Sequence, residues 1–439
     1  MFYPVAGFLV LISLGTILLS MPFSSNSGLT FSEALFMATS ASCVNGLAVI
    51  SVGQELSFAG QFIMLSLVEL GGIGIIAIST IVLLIAHSKV NFGQLSAFYS
   101  SYSVDNGSSI LYIVKRIVII TLAIELCGAV MLFTQFSNMQ MEQRIFFSIF
   151  HAISAFCNAG FSLWNNSMQN FSTNAVVNIT LIFLIICGGF GFLSLSEILF
   201  FRKKRISGKY LTLHTKLALL MTFALIISGT LFMLKMEWNG ILSGYSFSDK
   251  ILVSVFQSVT TRSGGYSTVN FAMLGVPILF TMILFMFIGA NPGSCGGGIK
   301  TTTAAIIWLL GVNRFLGREK TQVFNRTIPE ETVSRAVRIF VLSVVSVVVA
   351  CILLLYFETA NLTAQMGQNR FLELLFESVS AFSTCGLSMG ATENLTTASK
   401  ILLSAVMFIG RLGPLVLVQA VILPPRFDAY YSEENVMVG

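Results

Sequence analysis

Charge is what this sequence has least of. Aspartate, glutamate, lysine and arginine make up 10% of its 439 residues, against about 25% in ordinary soluble domains. That alone excludes a soluble globular protein. Histidine is nearly absent, with three copies. The seven cysteines (Cys43, Cys127, Cys157, Cys187, Cys295, Cys351 and Cys385) lie in apolar or pore-like segments without metal-ligand spacing. Their spacing indicates neither a disulfide framework nor a zinc site. No nucleophile paired with a base and no phosphate loop with its lysine is visible, so enzyme chemistry is set aside. The first apolar run, 5–19, has no Lys or Arg before it and no small-residue cleavage site after it. A retained helix is expected there rather than a signal peptide.

What is abundant is apolar sequence, at 55% of the chain, with a mean hydropathy of +0.86. Long apolar runs fall near 5–20, 57–86, 112–135, 173–201, 211–236, 272–310, 335–357 and 398–423. A bilayer core about 30 Å thick needs roughly 20 apolar residues per helix, so these runs read as spans. Within each successive pair of spans lies a semi-apolar segment too short to cross: 31–41, 144–156, 247–261 and 371–382. Each runs into a glycine followed by an apolar residue, at Gly46-Leu47, Gly160-Phe161, Gly265-Tyr266 and Gly386-Leu387, spaced 114, 105 and 121 residues apart. Phe36, Phe150 and Phe376 stand ten residues before their glycines, and Ser40, Ser154 and Ser380 six before. In the third copy Phe256 and Thr260 are one residue nearer. A fixed period near one quarter of the chain marks an internal repeat.

The expected fold is therefore an all-α integral membrane protein, with eight transmembrane helices and four re-entrant pore helices. Its helix, pore loop, helix units are fourfold pseudo-symmetric: 1–86, 112–201, 211–310 with a broken second helix, and 333–424, followed by a tail at 425–439. Basic residues set its orientation. Arg202, Lys203, Lys204, Arg205, Lys209 and Lys216 crowd 202–216 with no acid. Arg314, Arg318, Lys320, Arg326, Arg335 and Arg338 follow in 314–338 against three glutamates. Both loops, and with eight spans both termini, are expected in the cytoplasm, and all four short segments dip in from outside. The formal charge of +5 is explained by this topology. The lipid bilayer is the partner, and no nucleic acid is expected.

A cation leaves water only where something replaces its hydration shell, and backbone carbonyls do so without burying fixed charge. Glycine suits such a loop because it adopts conformations that other residues resist. The candidate filter strands are Cys43-Val44-Asn45-Gly46, Cys157-Asn158-Ala159-Gly160, Arg262-Ser263-Gly264-Gly265 and Ser383-Thr384-Cys385-Gly386, none with a carboxylate. Any one of these glycines reads equally well as a helix-packing residue. Four at matching positions favour a shared pathway.

These residues resemble the Trk, Ktr and HKT potassium transporters. Ser154-Ala155-Phe156-Cys157-Asn158-Ala159-Gly160-Phe161 is similar to that family's second pore loop, Thr260-Thr261-Arg262-Ser263-Gly264-Gly265-Tyr266 to its third, and 376–387 to its fourth. Leu213-His214-Thr215-Lys216, the run 293–303 and 407–414 match as well, and the compact length resembles the Ktr-type membrane subunit. Two positions depart from the pattern: Asn45 where threonine is common, and Cys295-Gly296 where Thr-Ala is usual. The resemblance implies potassium as transported substrate, held by filter backbone carbonyls, with sodium as a candidate activator and no cofactor in this chain. It further implies a homodimer working with a cytoplasmic nucleotide-binding regulatory ring.

The sixth run cannot be one regular helix. Its stretch Gly289-Ala290-Asn291-Pro292-Gly293-Ser294-Cys295-Gly296-Gly297-Gly298 holds a proline and five glycines, which cost about 3 and about 1 kcal/mol each in a helix interior. Broken helices also occur in secondary transporters. The resemblance implies that Asn291 through Gly298 form an intramembrane gating loop below the filter, with Arg411 in the path beside it. A charge within a span needs a partner, and Arg411 is also expected to lock the last helix, with the glycine-rich loop as one candidate partner. Glu69 and Glu125, neither on a candidate filter strand, are expected to pair with polar groups between helices rather than bind the ion. Glu373 and Glu377 are expected near an outer mouth, with Glu377 equally placed to brace the filter from behind. A sodium-conducting member of the same fold, and a cation symporter with inverted repeats, are the alternatives; inverted repeats would alternate in direction.

Overall fold

The computed structural model describes residues 2–73, 110–199, 211–359 and 364–414. The second half of the expected 57–86 span, the basic cluster 202–210, the end of the last span and the tail 425–439 lie outside the described residues. The regular elements among the described residues are helices apart from one antiparallel pair of two-residue strands, β1 (Gln322–Val323) and β2 (Arg326–Thr327).

Repeat one comprises α1 (Phe2–Leu19), α2 (Phe31–Ser42) and α3 (Phe58–Ile73). Repeat two comprises α4 (Ile110–Gln135), α5 (Met141–Phe156), α6 (Ala175–Gly189) and α7 (Phe192–Leu199). Repeat three comprises α8 (Leu213–Glu237), α9 (Phe247–Thr260), α10 (Val276–Phe287) and α11 (Thr301–Phe315). Repeat four comprises α12 (Glu330–Thr359), α13 (Ala364–Ser383) and α14 (Thr397–Leu412). The short helices α2 and α9 begin at polar caps: the Thr30 hydroxyl accepts from the Glu33 amide, and the Ser246 hydroxyl from the Asp249 amide, satisfying donors that a helix start leaves free. The sixth run breaks as expected, between Phe287 and Thr301. The fourth run, read as one span over 173–201, also breaks, at Phe190-Gly191. There Gly191 is left-handed (φ 88°), and an added Cβ would press on the Pro292 carbonyl.

Among the described residues, three helices are long and apolar enough to cross a membrane: Lys115–Gln135, Leu213–Glu237 and Glu330–Thr359. The apolar segments Val5–Leu19, Phe58–Ile73, Ala175–Gly189 and Val276–Phe287 are shorter. Burial is inverted relative to a soluble protein. Leu122, Leu126, Phe223, Leu231, Val345 and Ile352 face outward, while Ser40, Asn158, Thr260 and Ser380 are fully buried. An apolar exterior around a polar centre is the arrangement hydrocarbon demands.

The repeats interlock in a ring. Within repeats one, two and four the short helix packs against the helices on both sides of it in sequence, and in repeat three against α8. Between them, the helix that follows one loop leans on the next repeat's short helix: α3 on α5, α6 on α9, α10 on α13, and α14 back on α2. Close approach inside a repeat depends on glycine. A Cβ at Gly71 would strike the Ser42 carbonyl, one at Gly188 the Phe156 carbonyl, and one at Gly410 the Phe382 carbonyl, each at the end of that repeat's short helix. Replacing Gly410 with valine should therefore destabilise the fold, by ~1–3 kcal/mol or more as for other overpacked cores. A lowered melting temperature of the purified protein in detergent checks this; an unchanged one contradicts the packing.

Candidate ion pathway

Each short helix ends directly at a candidate filter strand, and the four strands share one backbone pattern. Val44, Asn158, Ser263 and Thr384 have positive φ (55°, 60°, 60° and 47°), and so do Gly46, Gly160, Gly265 and Gly386 (99°, 67°, 74° and 83°). Left-handed residues two positions apart turn the backbone so that carbonyls can line one side. For the β-branched Val44 and Thr384 that conformation costs about 1–3 kcal/mol, and it persists only where the surroundings enforce it. The enforcement is visible. Amides of Asn45, Ala159, Gly264 and Cys385 donate to the carbonyls of Ser40, Ser154, Thr260 and Ser380 at 2.7, 2.8, 2.8 and 2.9 Å. Hydroxyls of Ser40, Ser154 and Thr260 donate across each turn to the carbonyls of Leu47, Phe161 and Tyr266, at 2.6, 3.0 and 2.6 Å. In the fourth copy the Ser380 hydroxyl makes no such bond. Phe36, Phe150, Phe256 and Phe376 are all buried beneath the strands.

The strands meet around a centre. A Cβ added at Gly46 would meet the Ala159 carbonyl and, at 3.2 Å, the Cα of Gly386; one at Gly265 would meet the Gly160 Cα at 2.7 Å and the Cys385 carbonyl at 2.9 Å. Neighbouring copies thus touch in the order one, two, three, four and back to one. All four glycines open on one cavity of about 580 Å³, whose lining includes Glu55 and Glu393. Sequence reasoning missed both acids, which lie in loops after the filter turns. Glu377 is buried and accepts from the Ser388 hydroxyl (2.5 Å), the Met389 amide and the Thr392 hydroxyl, which tie the fourth short helix to the chain just after its turn. Glu373 pairs with Arg370 at 3.8 Å. The C-terminal ends of four short helices carry partial negative charge toward this centre.

Side chains of the strands point away and tie the copies together. The Asn45 amide donates to the Ala381 carbonyl at 2.9 Å, and the Ser263 hydroxyl to the Ser383 carbonyl at 3.1 Å. Asn158, with its amide nitrogen toward its carbonyl neighbours, bonds Ala155, Phe156 and Ile185. The Arg262 guanidinium is buried and donates to the Thr222 hydroxyl at 3.2 Å.

The stretch between α10 and α11 lies directly against strands three and four. The Gly297 amide donates to the Thr384 hydroxyl at 2.7 Å, and a Cβ at Gly298 would sit 3.1 Å from the Ser383 Cα, one at Gly296 3.0 Å from the Ser263 Cβ. Asn291 and Cys295 anchor it to α6 through the carbonyls of Gly189 (3.0 Å) and Gly188 (3.1 Å). The Ser294 hydroxyl closes on the Asn291 carbonyl, Phe192 donates to the Gly293 carbonyl, and Pro292 packs at Gly191. Arg411 donates to the Cys295 carbonyl and to the Gly71 carbonyl (2.5 Å), and Lys300 to the Gly296 carbonyl (2.5 Å). The glycine pairs Gly71-Gly72 and Gly188-Gly189 show what Arg411 replaces: it follows Gly410 as Gly72 and Gly189 follow theirs.

Residues 3–429 match the TrkH family of cation transport proteins. The chain belongs to that family. It is 35% identical to the potassium/sodium uptake protein NtpJ of Enterococcus hirae, over 99% of this chain and 96% of that one. It is 34% identical to the Ktr system potassium uptake protein B of Bacillus subtilis, over 99% and 95%. The crystal structure of the potassium transporter TrkH from Vibrio parahaemolyticus superposes with a TM-score of 0.73 at 20% identity, covering 95% of this chain and 85% of that one, which establishes a shared fold. As a TrkH-family protein the chain is a multi-pass membrane transporter and not an enzyme.

Thr384→Ala removes the acceptor that holds the Gly297 amide. Hydrogen exchange over 288–300 should then accelerate, with ~1 kcal/mol of local protection lost. Unchanged exchange there would show that the contact does not hold the loop.

Proposed function

We propose that this TrkH-family protein takes up potassium across the cytoplasmic membrane through a pore on the axis of its four repeats. Eight spans and four re-entrant helices form the pore, and backbone carbonyls of 43–46, 157–160, 262–265 and 383–386 replace the ion's water. The observation that carries this reading is the closed ring of Gly46, Gly160, Gly265 and Gly386, repeated in backbone conformation and free of carboxylates. Inverted repeats would alternate in direction. Here the helix after each loop leans on the next repeat's short helix in the same cyclic sense all the way round, which supports a channel-like pore over a symporter. The relatives' names supply the ion.

The loop 291–298 with Arg411 is the gate in this reading. It packs against strands three and four, and a guanidinium beside the path raises the barrier to cations. Both termini are cytoplasmic, sodium is an activator, and the chain works as a homodimer with a cytoplasmic nucleotide-binding ring. Several relatives are named as components of a Ktr system, which supports assembly with other subunits.

Expression in cells lacking their own potassium uptake should restore growth at low potassium and give rubidium influx, measured with and without sodium. No rescue together with raised sodium influx would instead make this a sodium-conducting member of the fold. Gly265→Ser adds a side chain at a left-handed position pressed against Gly160 and Cys385. Potassium-over-sodium preference should fall roughly tenfold, equivalent to ~1.4 kcal/mol of discrimination. Unaltered preference with normal flux would mean the glycines only pack.

A further inference from the structure

The spacing of the cysteines in sequence suggests no metal site, but the fold assembles one. Glu69 on α3, Glu125 on α4 and Cys157 at the end of α5 each place a ligand-type atom within 4.8 Å of the others. The Cys157 thiol donates to Glu69 at 3.4 Å. Glu125 lies against Glu69, is 4% exposed, and its Oε1 has no hydrogen-bond partner. From the glycine-rich loop the buried Cys295 side chain reaches the Cys157 thiol, next to the three-residue group and outside it.

Two carboxylates in contact away from water need a shared proton or a cation between them. An oxygen-only cage would suit calcium or magnesium, whereas added sulfur selects thiophilic ions. Neither potassium nor sodium matches this donor set. Ligand atoms around tetrahedral zinc lie roughly 3.3–3.8 Å apart, so modest side-chain rotation would close the present spacing onto an ion. Two carboxylates and two thiolates would exceed the charge of a divalent ion. Arg411, held on the Cys295 carbonyl, supplies positive charge beside the cluster.

We propose that Glu69, Glu125, Cys157 and Cys295 bind one thiophilic divalent metal ion of the zinc class, which fastens the 288–300 loop to α5. That such fastening restrains a gate rests on the functional reading above; metal binding itself does not, and it is measured on purified protein whether or not that protein transports.

The test uses the full-length protein in detergent, equilibrated with zinc chloride or cadmium chloride and freed of unbound metal. One ion per chain is expected, with a thiolate-to-cadmium ultraviolet absorption band and a zinc-dependent rise in melting temperature. Glu69→Gln, Glu125→Gln, Cys157→Ser and Cys295→Ser should each weaken binding at least about tenfold, a floor set by the effect of losing even an outer-shell partner. Cys127→Ser, which removes the exposed thiol on α4, should leave it intact. If Cys157→Ser fails to fold, the shape-conserving glutamine variants decide. No bound metal, a spectrum without the thiolate band, undiminished binding in Glu125→Gln, or loss in Cys127→Ser would each overturn the site. Undiminished binding in Cys295→Ser would overturn the link to the loop.

Discussion

Non-helical backbone survives inside a bilayer only where protein or trapped water satisfies it, and in this chain the short helix of each repeat satisfies the turn that follows it. Every major feature follows from that constraint. The turns need left-handed residues two apart, so the chain supplies glycine at the second position and tolerates Val44, Asn158, Ser263 and Thr384 at the first. Those conformations need buttressing, so in the first three repeats Ser40, Ser154 and Thr260 bridge the turn from the helix before it. The bridging helices must approach closely, so Gly71, Gly188 and Gly410 stand where a Cβ would strike a carbonyl.

Fourfold repetition builds the ring, and departures from it set the repeats apart. After the packing glycine come Gly72 in the first repeat, Gly189 in the second and Arg411 in the fourth; in the third, the chain leaves the helix altogether. The cation that follows the fourth packing glycine meets the interruption of the third repeat, since Arg411 bonds the Cys295 carbonyl. Glu237 and Glu358 add a further pairing, each capping the start of its repeat's later helix through the amides of Gly275 and Thr396. The asymmetry is therefore concentrated beneath the ring, where the loop lies on strands three and four.

Much of this was legible in the sequence because period and composition act locally. The quarter-length repeat, the four glycines, the buried phenylalanines and the break in the sixth run all follow from pattern. What escaped depends on contacts between distant segments. The run 173–201 reads as continuous, yet Gly191 yields where the Pro292 carbonyl presses. Left-handed Val44 and Thr384 carry no composition signal, because their conformation is imposed by neighbours. Asn45, a departure from the common threonine, turns out to tie strand one to the Ala381 carbonyl of the fourth short helix. Glu69, Glu125 and Cys157 are unremarkable apart and adjacent only in three dimensions.

The central claim is that a dehydrated monovalent cation sits on the axis of the four strands, held by backbone oxygen alone. Anomalous diffraction from crystals of this protein grown in rubidium or thallium salts tests it directly. The account predicts density on that axis, ringed by carbonyls of 43–46, 157–160, 262–265 and 383–386. Density confined to carboxylates elsewhere, with an empty axis in a well-ordered ring, would contradict it.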